Sequence, residues 1–201
     1  MTDVAAILLA AGTASRYRAA GGAEPSKLLA DFFGRPVVRV VAEAAAGGGP
    51  LFVVTGHARE AVEAALAGLD VCFVHNADYA TGLASSLKAG VAAVPEASAG
   101  VVILLGDMPR VSPKILASLL AAFAARPDAL AVIPTVAGER GNPVLLSREL
   151  FSEVAKLQGD EGARRLLKRL SPDRIVEVAF DDKAIIVDVD TPEDLAKARE
   201  G

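Results

Sequence analysis

The sequence predicts an α/β fold, a doubly wound and mostly parallel sheet with helices on both faces. Three observations predict it. Short runs that are apolar at every position alternate with amphipathic stretches of helical length, as expected for strands covered on both faces. Helix starts and stops carry readable punctuation. No repeat, low-complexity segment or polar linker divides the 201 residues, so one domain over 1–201 is expected.

The strand candidates, in order, are Val4–Ala10, Leu51–Thr55, Val71–His75, Val101–Leu105, Ala129–Pro134 and Ile185–Asp188. Helix candidates lie near Val37–Ala46, Arg59–Ala67, Ala84–Val94, Lys114–Ala125, Glu149–Leu157, Ala163–Leu170 and Pro192–Arg199. Ser112-Pro113 and Thr191-Pro192 each set a capping hydroxyl before a proline at the first helical position. Gly47-Gly48-Gly49-Pro50 stops one helix before the next strand. Right-handed crossovers should join the parallel strands. One stretch breaks the rhythm: the turn Gly138–Pro143 followed by Val144-Leu145-Leu146. That pattern suits either the acceptor side of a site or a plain surface hairpin.

An apolar fraction of 52% against 23% charged residues is the profile of a globular chain rather than a disordered one. With a net charge of −4 and no basic stripe, nucleic acid is not the expected partner. The apolar run Val4–Ala11 is too short to span a bilayer, and no targeting segment is evident. A lone cysteine, Cys72, forms no internal disulfide and suits a reducing cytoplasm, where a buried strand position is its expected place.

Three motifs carry chemistry. The first strand runs into Gly12-Thr13-Ala14-Ser15-Arg16 and a Gly-rich loop up to Lys27. Ligands of open α/β sheets sit beyond the carboxyl ends of strands. Small residues there let backbone amides approach phosphate, with Arg16, Arg18 and Lys27 as countercharge. The loop is neither a Walker A sequence nor a GxGxxG fingerprint. A solvated surface loop is the competing reading. Next, Gly106-Asp107-Met108-Pro109 ends an apolar strand with a carboxylate where a hard cation can bind; a turn-forming Asp is the alternative. Finally, Asp188-Val189-Asp190-Thr191-Pro192-Glu193-Asp194 puts two carboxylates two residues apart. Asp190 is the metal candidate there, while Glu193 and Asp194 suit a helix N-terminus. His57 and His75 are read as solvent-exposed and structural respectively. Gly82–Leu87 starts a helix at the same rim as Gly12. Asp160 reads as an N-cap or as part of an acceptor-binding loop.

Taken together, the motif set resembles the molybdenum cofactor cytidylyltransferases, within the group having a MobA-like nucleotidyltransferase domain of Rossmann-like fold. The matching pieces are Leu9-Ala10-Ala11-Gly12, Arg16, Lys27-Leu28-Leu29, Thr55-Gly56-His57, Gly82–Leu87, Gly106–Pro109, Arg140–Val144, Gly159–Arg164 and Asp188–Asp194. They follow the family's order over nearly the whole chain. The resemblance implies that Leu9, Ala10, Ala11 and Gly12 surround the nucleotide. Thr55, Gly82, Ser86 and Asn142 complete the binding residues, with Gly82 and Ser86 near the base. Arg16, Lys27 and Asp107 would carry the chemistry, and Asp107 with Asp190 would hold Mg²⁺. Arg140–Val144 and Asp160–Arg164 look like the family's acceptor side. The Ala10-Ala11 pair resembles the cytidine-using relatives. Ala14 stands where the family usually has Gly or Ser, and Tyr17-Arg18 where it has Met-Gly.

The activity so implied is transfer of CMP from CTP, or from another nucleoside triphosphate, to the terminal phosphate of a molybdopterin-type cofactor, releasing pyrophosphate. A nicotinamide oxidoreductase would suit the architecture, but the sequence lacks the dinucleotide glycine pattern, and two other readings stand beside the transferase. One is transfer to a different phosphorylated acceptor. The other is a non-catalytic accessory protein that hands the cofactor to an apo-molybdoenzyme. A cytoplasmic protein without membrane or nucleic-acid partner is expected in each case.

Overall fold

In the computed structural model, which describes residues 3–200, the first strand β1 (Val4–Ala10) leads through a short loop to helix α1 (Ser15–Ala19). A small hairpin follows, β2 (Asp31–Phe32) and β3 (Arg35–Pro36), then α2 (Val37–Ala45), β4 (Leu51–Thr55), α3 (Arg59–Ala65) and β5 (Cys72–His75). Next come α4 (Leu83–Ala93), β6 (Gly100–Leu105), α5 (Pro113–Ala125), β7 (Ala131–Val136), β8 (Glu139–Arg140) and β9 (Val144–Ser147). The chain closes with α6 (Phe151–Val154), α7 (Ala163–Leu167), β10 (Ile175–Ala179) and α8 (Pro192–Glu200). No helix among the described residues is long and apolar enough to cross a membrane.

The main sheet runs in the order β10-β7-β9-β6-β1-β4-β5, with β8 hung on β7. All pairings along that order are parallel except those of β9, which is antiparallel to both β6 and β7. The predicted fold class is thus the observed one, a mostly parallel sheet between two helical layers. Period-two alternation sorts each strand between the layers. On one face Val4, Leu8 and Ala10 of β1 pack with residues of α2, α3 and α5, among them Val41, Val62 and Leu119. On the other, Ala5, Ile7, Leu9 and Ala11 meet Leu87 and Val91 of α4, Val154 of α6 and Leu166 of α7. A third, smaller cluster joins Tyr17, Phe32 and Val37 to Val189, Leu195 and Ala198 around α8.

Several expectations need correction. Ile185–Asp188 is no strand. Lys183–Ile185 forms a 3₁₀ turn capped by Asp182, whose carboxylate accepts from Ala184 N at 2.8 Å. Beyond it the backbone bonds across strand ends, Asn142 N donating to Ile185 O and Val189 N to Asp107 O. The strand that flanks β7 is instead β10, whose Ile175–Ala179 alternates as a half-exposed edge and lacks a continuous apolar run. The stretch Val144–Ser147 is no surface hairpin but the buried strand between β6 and β7. Cys72 is exposed, because β5 pairs on one side only and ends the sheet. Ser112 precedes α5 without a side-chain cap. Thr191, by contrast, caps α8 reciprocally: its Oγ1 accepts from Asp194 N at 3.1 Å, and Asp194 Oδ2 accepts from Thr191 N at 2.8 Å, a capping box with Asp in the usual Glu position.

Helix α4 seats on the sheet through Gly90. A Cβ at that position would lie 2.7 Å from Ile7 Cγ2 and 3.0 Å from Val54 Cγ2, both stiff β-branched side chains in the core. Gly90→Ala is therefore expected to lower the unfolding free energy by about 1–2 kcal/mol, overpacking outweighing the gain in helix propensity of about 1 kcal/mol. Urea titration checks it, and a neutral variant would mean that α4 can lift without cost.

Candidate active site

Beyond the carboxyl end of β1, Ala11–Ala14 bend over the sheet edge, with Ala14 in the left-handed region at φ 51° before α1. The neighbouring strand β6 ends at Leu105 and runs into the turn Gly106-Asp107. Gly106 N donates to Leu9 O at 3.0 Å, and a Cβ on Gly106 would lie 2.9 Å from that oxygen. Glycine there lets the Asp107 turn close onto the first loop. The Val189 N to Asp107 O bond at 2.9 Å then ties the 188–190 segment to the same point. Three distant parts of the sequence thus converge at one sheet edge.

Their side chains form a charged centre. Lys27 Nζ lies 2.6 Å from Asp107 Oδ2 and 2.6 Å from Asp190 Oδ1. Arg16 pairs with the second oxygen of Asp190. Lys27 retains 14% side-chain exposure and the two aspartates 18% and 19%, whereas Arg16 is 77% exposed. Burial alone would lower the Lys27 pKa, but Asp107 and Asp190 outweigh it and hold the ammonium above its usual range. Asp188 sits beside them, the most exposed of the three carboxylates; one oxygen from each lies within 4.8 Å of the others. Desolvation first, then the charges of Asp107 and Asp190, push its pKa up.

These donors fit a divalent cation. All three are hard oxygen ligands, they carry like charge at close range, and Asp107 Oδ1 is buried with no hydrogen-bond partner. A buried carboxylate oxygen left bare is costly unless a cation meets it.

Two adjoining cavities open here. The first, of about 360 Å³, is lined by Leu9, Ala11, the Gly12–Tyr17 loop, Lys27, Asp107 and Asp190, and on its opposite wall by Tyr79, Gly82, Leu83 and Ser86. The second, of about 500 Å³, has an apolar floor including Leu87, Ile103 and Val144, with Asn142, Asp160, Arg164 and Asp188 as polar lining. Leu9, Leu83, Leu105 and Asp160 border both.

Of the residues singled out from sequence, Leu9, Ala11, Gly12, Arg16, Lys27, Gly82, Ser86, Asp107 and Asp190 line the first cavity, and Asn142 the second. Ala10 and Thr55 lie apart. Ala10 faces the opposite helical layer by strand alternation. Thr55 is fully buried, its hydroxyl donating to Glu63 at 3.3 Å. Asp160 is not an N-cap, since Gly162 takes that position before α7; it is exposed at the junction of the cavities. Sequence reasoning missed Asn76 and the placement of Tyr17. The first carried the weak signal of a polar residue just after an apolar strand. The second is buried in the third cluster, with its hydroxyl donating to Glu24 at 2.8 Å; burial and then Glu24 push its pKa up to about 12.

The sequence profile of the MobA-like NTP transferase domain matches residues 6–175. Molybdenum cofactor cytidylyltransferase of Escherichia coli K12 is 31% identical over 131 residues, 65% of this chain; the match spans 64% of that protein's own length, just under two thirds. Among solved structures, Rv0371c from Mycobacterium tuberculosis H37Rv is 30% identical, with full coverage of this chain, 99% of its own and a TM-score of 0.85. The same protein has been solved in complex with manganese. A nucleotidyl transferase from Methanothermobacter thermautotroptrophicus is 29% identical, covering 100% of this chain and 97% of its own, with a TM-score of 0.83.

The carboxylate cluster yields a stability test. With its pKa raised above the ordinary 3.8, ionised Asp188 opposes folding at neutral pH, and protonation relieves the penalty as pH falls through the raised value. In chelator at pH 7, Asp188→Asn is expected to raise the melting temperature, though only slightly, because solvent screens an exposed carboxylate. The gap from the unsubstituted protein should close towards pH 4. Thermal melts across that range check the sign.

Proposed function

The chain belongs to the MobA-like NTP transferase family; we propose that it is a nucleotidyltransferase that transfers CMP from Mg²⁺-bound CTP to the terminal phosphate of a molybdopterin-type cofactor, releasing pyrophosphate. The observation that carries this reading is the position of the Asp107–Lys27–Asp190 centre on the wall of one cavity with Asp188 opening into the next. The first cavity takes the nucleotide, its phosphates along Gly12–Arg16 and its base against Gly82–Ser86. The second takes the acceptor, whose phosphate would lie towards the carboxylates and whose ring would lie over the apolar floor.

Asp107 and Asp190, with Asp188 beside them, would hold the divalent ion, which when bound neutralises phosphate charge and polarises the α-phosphate. Lys27 and Arg16, now paired with those carboxylates, are the cations left to face the triphosphate. The raised pKa of Lys27 keeps it charged throughout the neutral range. Arg16, exposed on α1, can swing to the departing pyrophosphate. A phosphate-monoester acceptor is largely ionised near neutral pH, its second pKa being about 6. It attacks the α-phosphorus, the bond to the β-phosphate oxygen breaks, and no general base is required. Positioning and electrostatics then carry the rate. We place the reaction in the cytoplasm, in keeping with the single cysteine.

Pyrophosphate release from Mg-CTP, with and without molybdopterin-type acceptor, is the direct test; release with a sugar phosphate in its place would assign the acceptor to another class. Asp107→Asn is expected to cut turnover by ~10²-fold or more while the protein stays folded. A near-normal rate would reject the metal assignment. Mg-CTP at ~100 times its dissociation constant should stabilise the fold by about 2.7 kcal/mol, and thermal shifts against GTP, ATP and UTP compare the bases.

A further inference from the structure

Behind the wall of the nucleotide cavity lies a polar network that ends on Ser86. Asn76 follows β5, its N–H donating to Thr55 O at 2.8 Å, and is 6% exposed. The orientation of its amide is settled by a backbone donor. Asp78 N can only donate, and it meets the side chain at 3.0 Å, so the atom facing it is Oδ1. Nδ2 therefore points the other way, at Ser85 Oγ (2.8 Å) and Ser86 Oγ (3.0 Å), and both serine oxygens must accept from it. The Ser85 proton has takers of its own, Asp78 O at 3.0 Å and Gly82 O at 2.8 Å. The Ser86 proton has none among the described residues, although Ser86 is 5% exposed and lines the cavity.

We propose that Asn76 is a positioning residue that presets the Ser86 hydroxyl as a hydrogen-bond donor to the base, so that the site selects a base with an unprotonated ring nitrogen, cytosine N3, over uracil, whose N3 carries a proton. The inference rests on the reading that a nucleoside triphosphate occupies this cavity with its base at Gly82–Ser86. The physical basis is the asymmetry of buried hydrogen bonds: a donor that finds an acceptor gains little net, whereas two donors facing each other leave both unsatisfied. With one Ser86 lone pair already engaged by Asn76 Nδ2, turning the hydroxyl round to accept from uracil N3–H would strand its proton among buried atoms.

Asn76→Asp tests this by reversing the polarity of the relay. The aspartate keeps an oxygen for Asp78 N but can only accept from Ser86, which leaves the Ser86 oxygen facing the base as an acceptor. Isothermal titration of the whole protein with Mg-CTP and Mg-UTP should then show the CTP-over-UTP affinity ratio falling by roughly tenfold, the scale of one buried hydrogen bond. Ser86→Ala, which removes the hydroxyl with little change in volume, should lower the same ratio, and Asn76→Asp added to it should have no further effect on the ratio. Should Asn76→Asp fail to fold by circular dichroism, Ser86→Ala alone decides: an unchanged ratio overturns the proposal. Equal weakening of both nucleotides by Asn76→Asp also overturns it, because a merely structural role would not discriminate between bases. If the unsubstituted protein binds neither nucleotide, the reading of the cavity falls and this inference with it.

Discussion

The site is organised around one ammonium group held between two carboxylates. Lys27 reaches it from a 3₁₀ turn near the start of the chain, Asp107 from the end of β6, and Asp190 from the segment before α8. Bringing Asp107, Asp188 and Asp190 together without a counter-ion would set three like charges in a partly desolvated pocket. Lys27, joined at the rim by Arg16, makes that arrangement tolerable in the free protein. The same pairing keeps the carboxylates pre-aimed, so little reorganisation of their side chains accompanies the arrival of a cation. A partly buried ion pair of this kind contributes weakly to stability. Its value lies in geometry.

That geometry depends on a sheet whose interior strands were legible from sequence because both their faces are covered. β1 and β4 read as apolar runs, and they span the expected Val4–Ala10 and Leu51–Thr55. The edges were harder. β10 alternates like any half-exposed segment and offers no run to detect, while β5 is apolar in sequence yet exposed, with Cys72 on its open side. Ile185–Asp188 misled for the opposite reason. Ile185 is buried in the main core and Val187 packs against the third cluster, while the backbone finds partners at the strand ends without joining a ladder.

For the site, sequence reached the charged residues and stopped short of what holds them. Asp107 announces itself at the end of an apolar strand, Asp190 as one of two carboxylates two residues apart, and Arg16 and Lys27 by charge in a loop of small residues. Nothing in the sequence reveals that Asn76 aims its amide at Ser86, since this depends on a backbone donor two residues on. Nor could the sequence show that Ala10 and Thr55 turn towards the opposite layer. Which face a strand residue takes at the rim is fixed only once the sheet's neighbours are in place.

Tyr17 shows how the first loop and the last helix share one environment. Its ring is packed with Val189, Leu195 and Ala198, so the short helix carrying Arg16 rests on the far end of the chain. The conformational entropy of ordering that loop is thereby lost when the chain folds rather than when a ligand arrives. Detachment of α8 would return that freedom to the loop, and the cost would surface as an entropic penalty on association, leaving the alignment of the reacting groups in the bound state largely as it was.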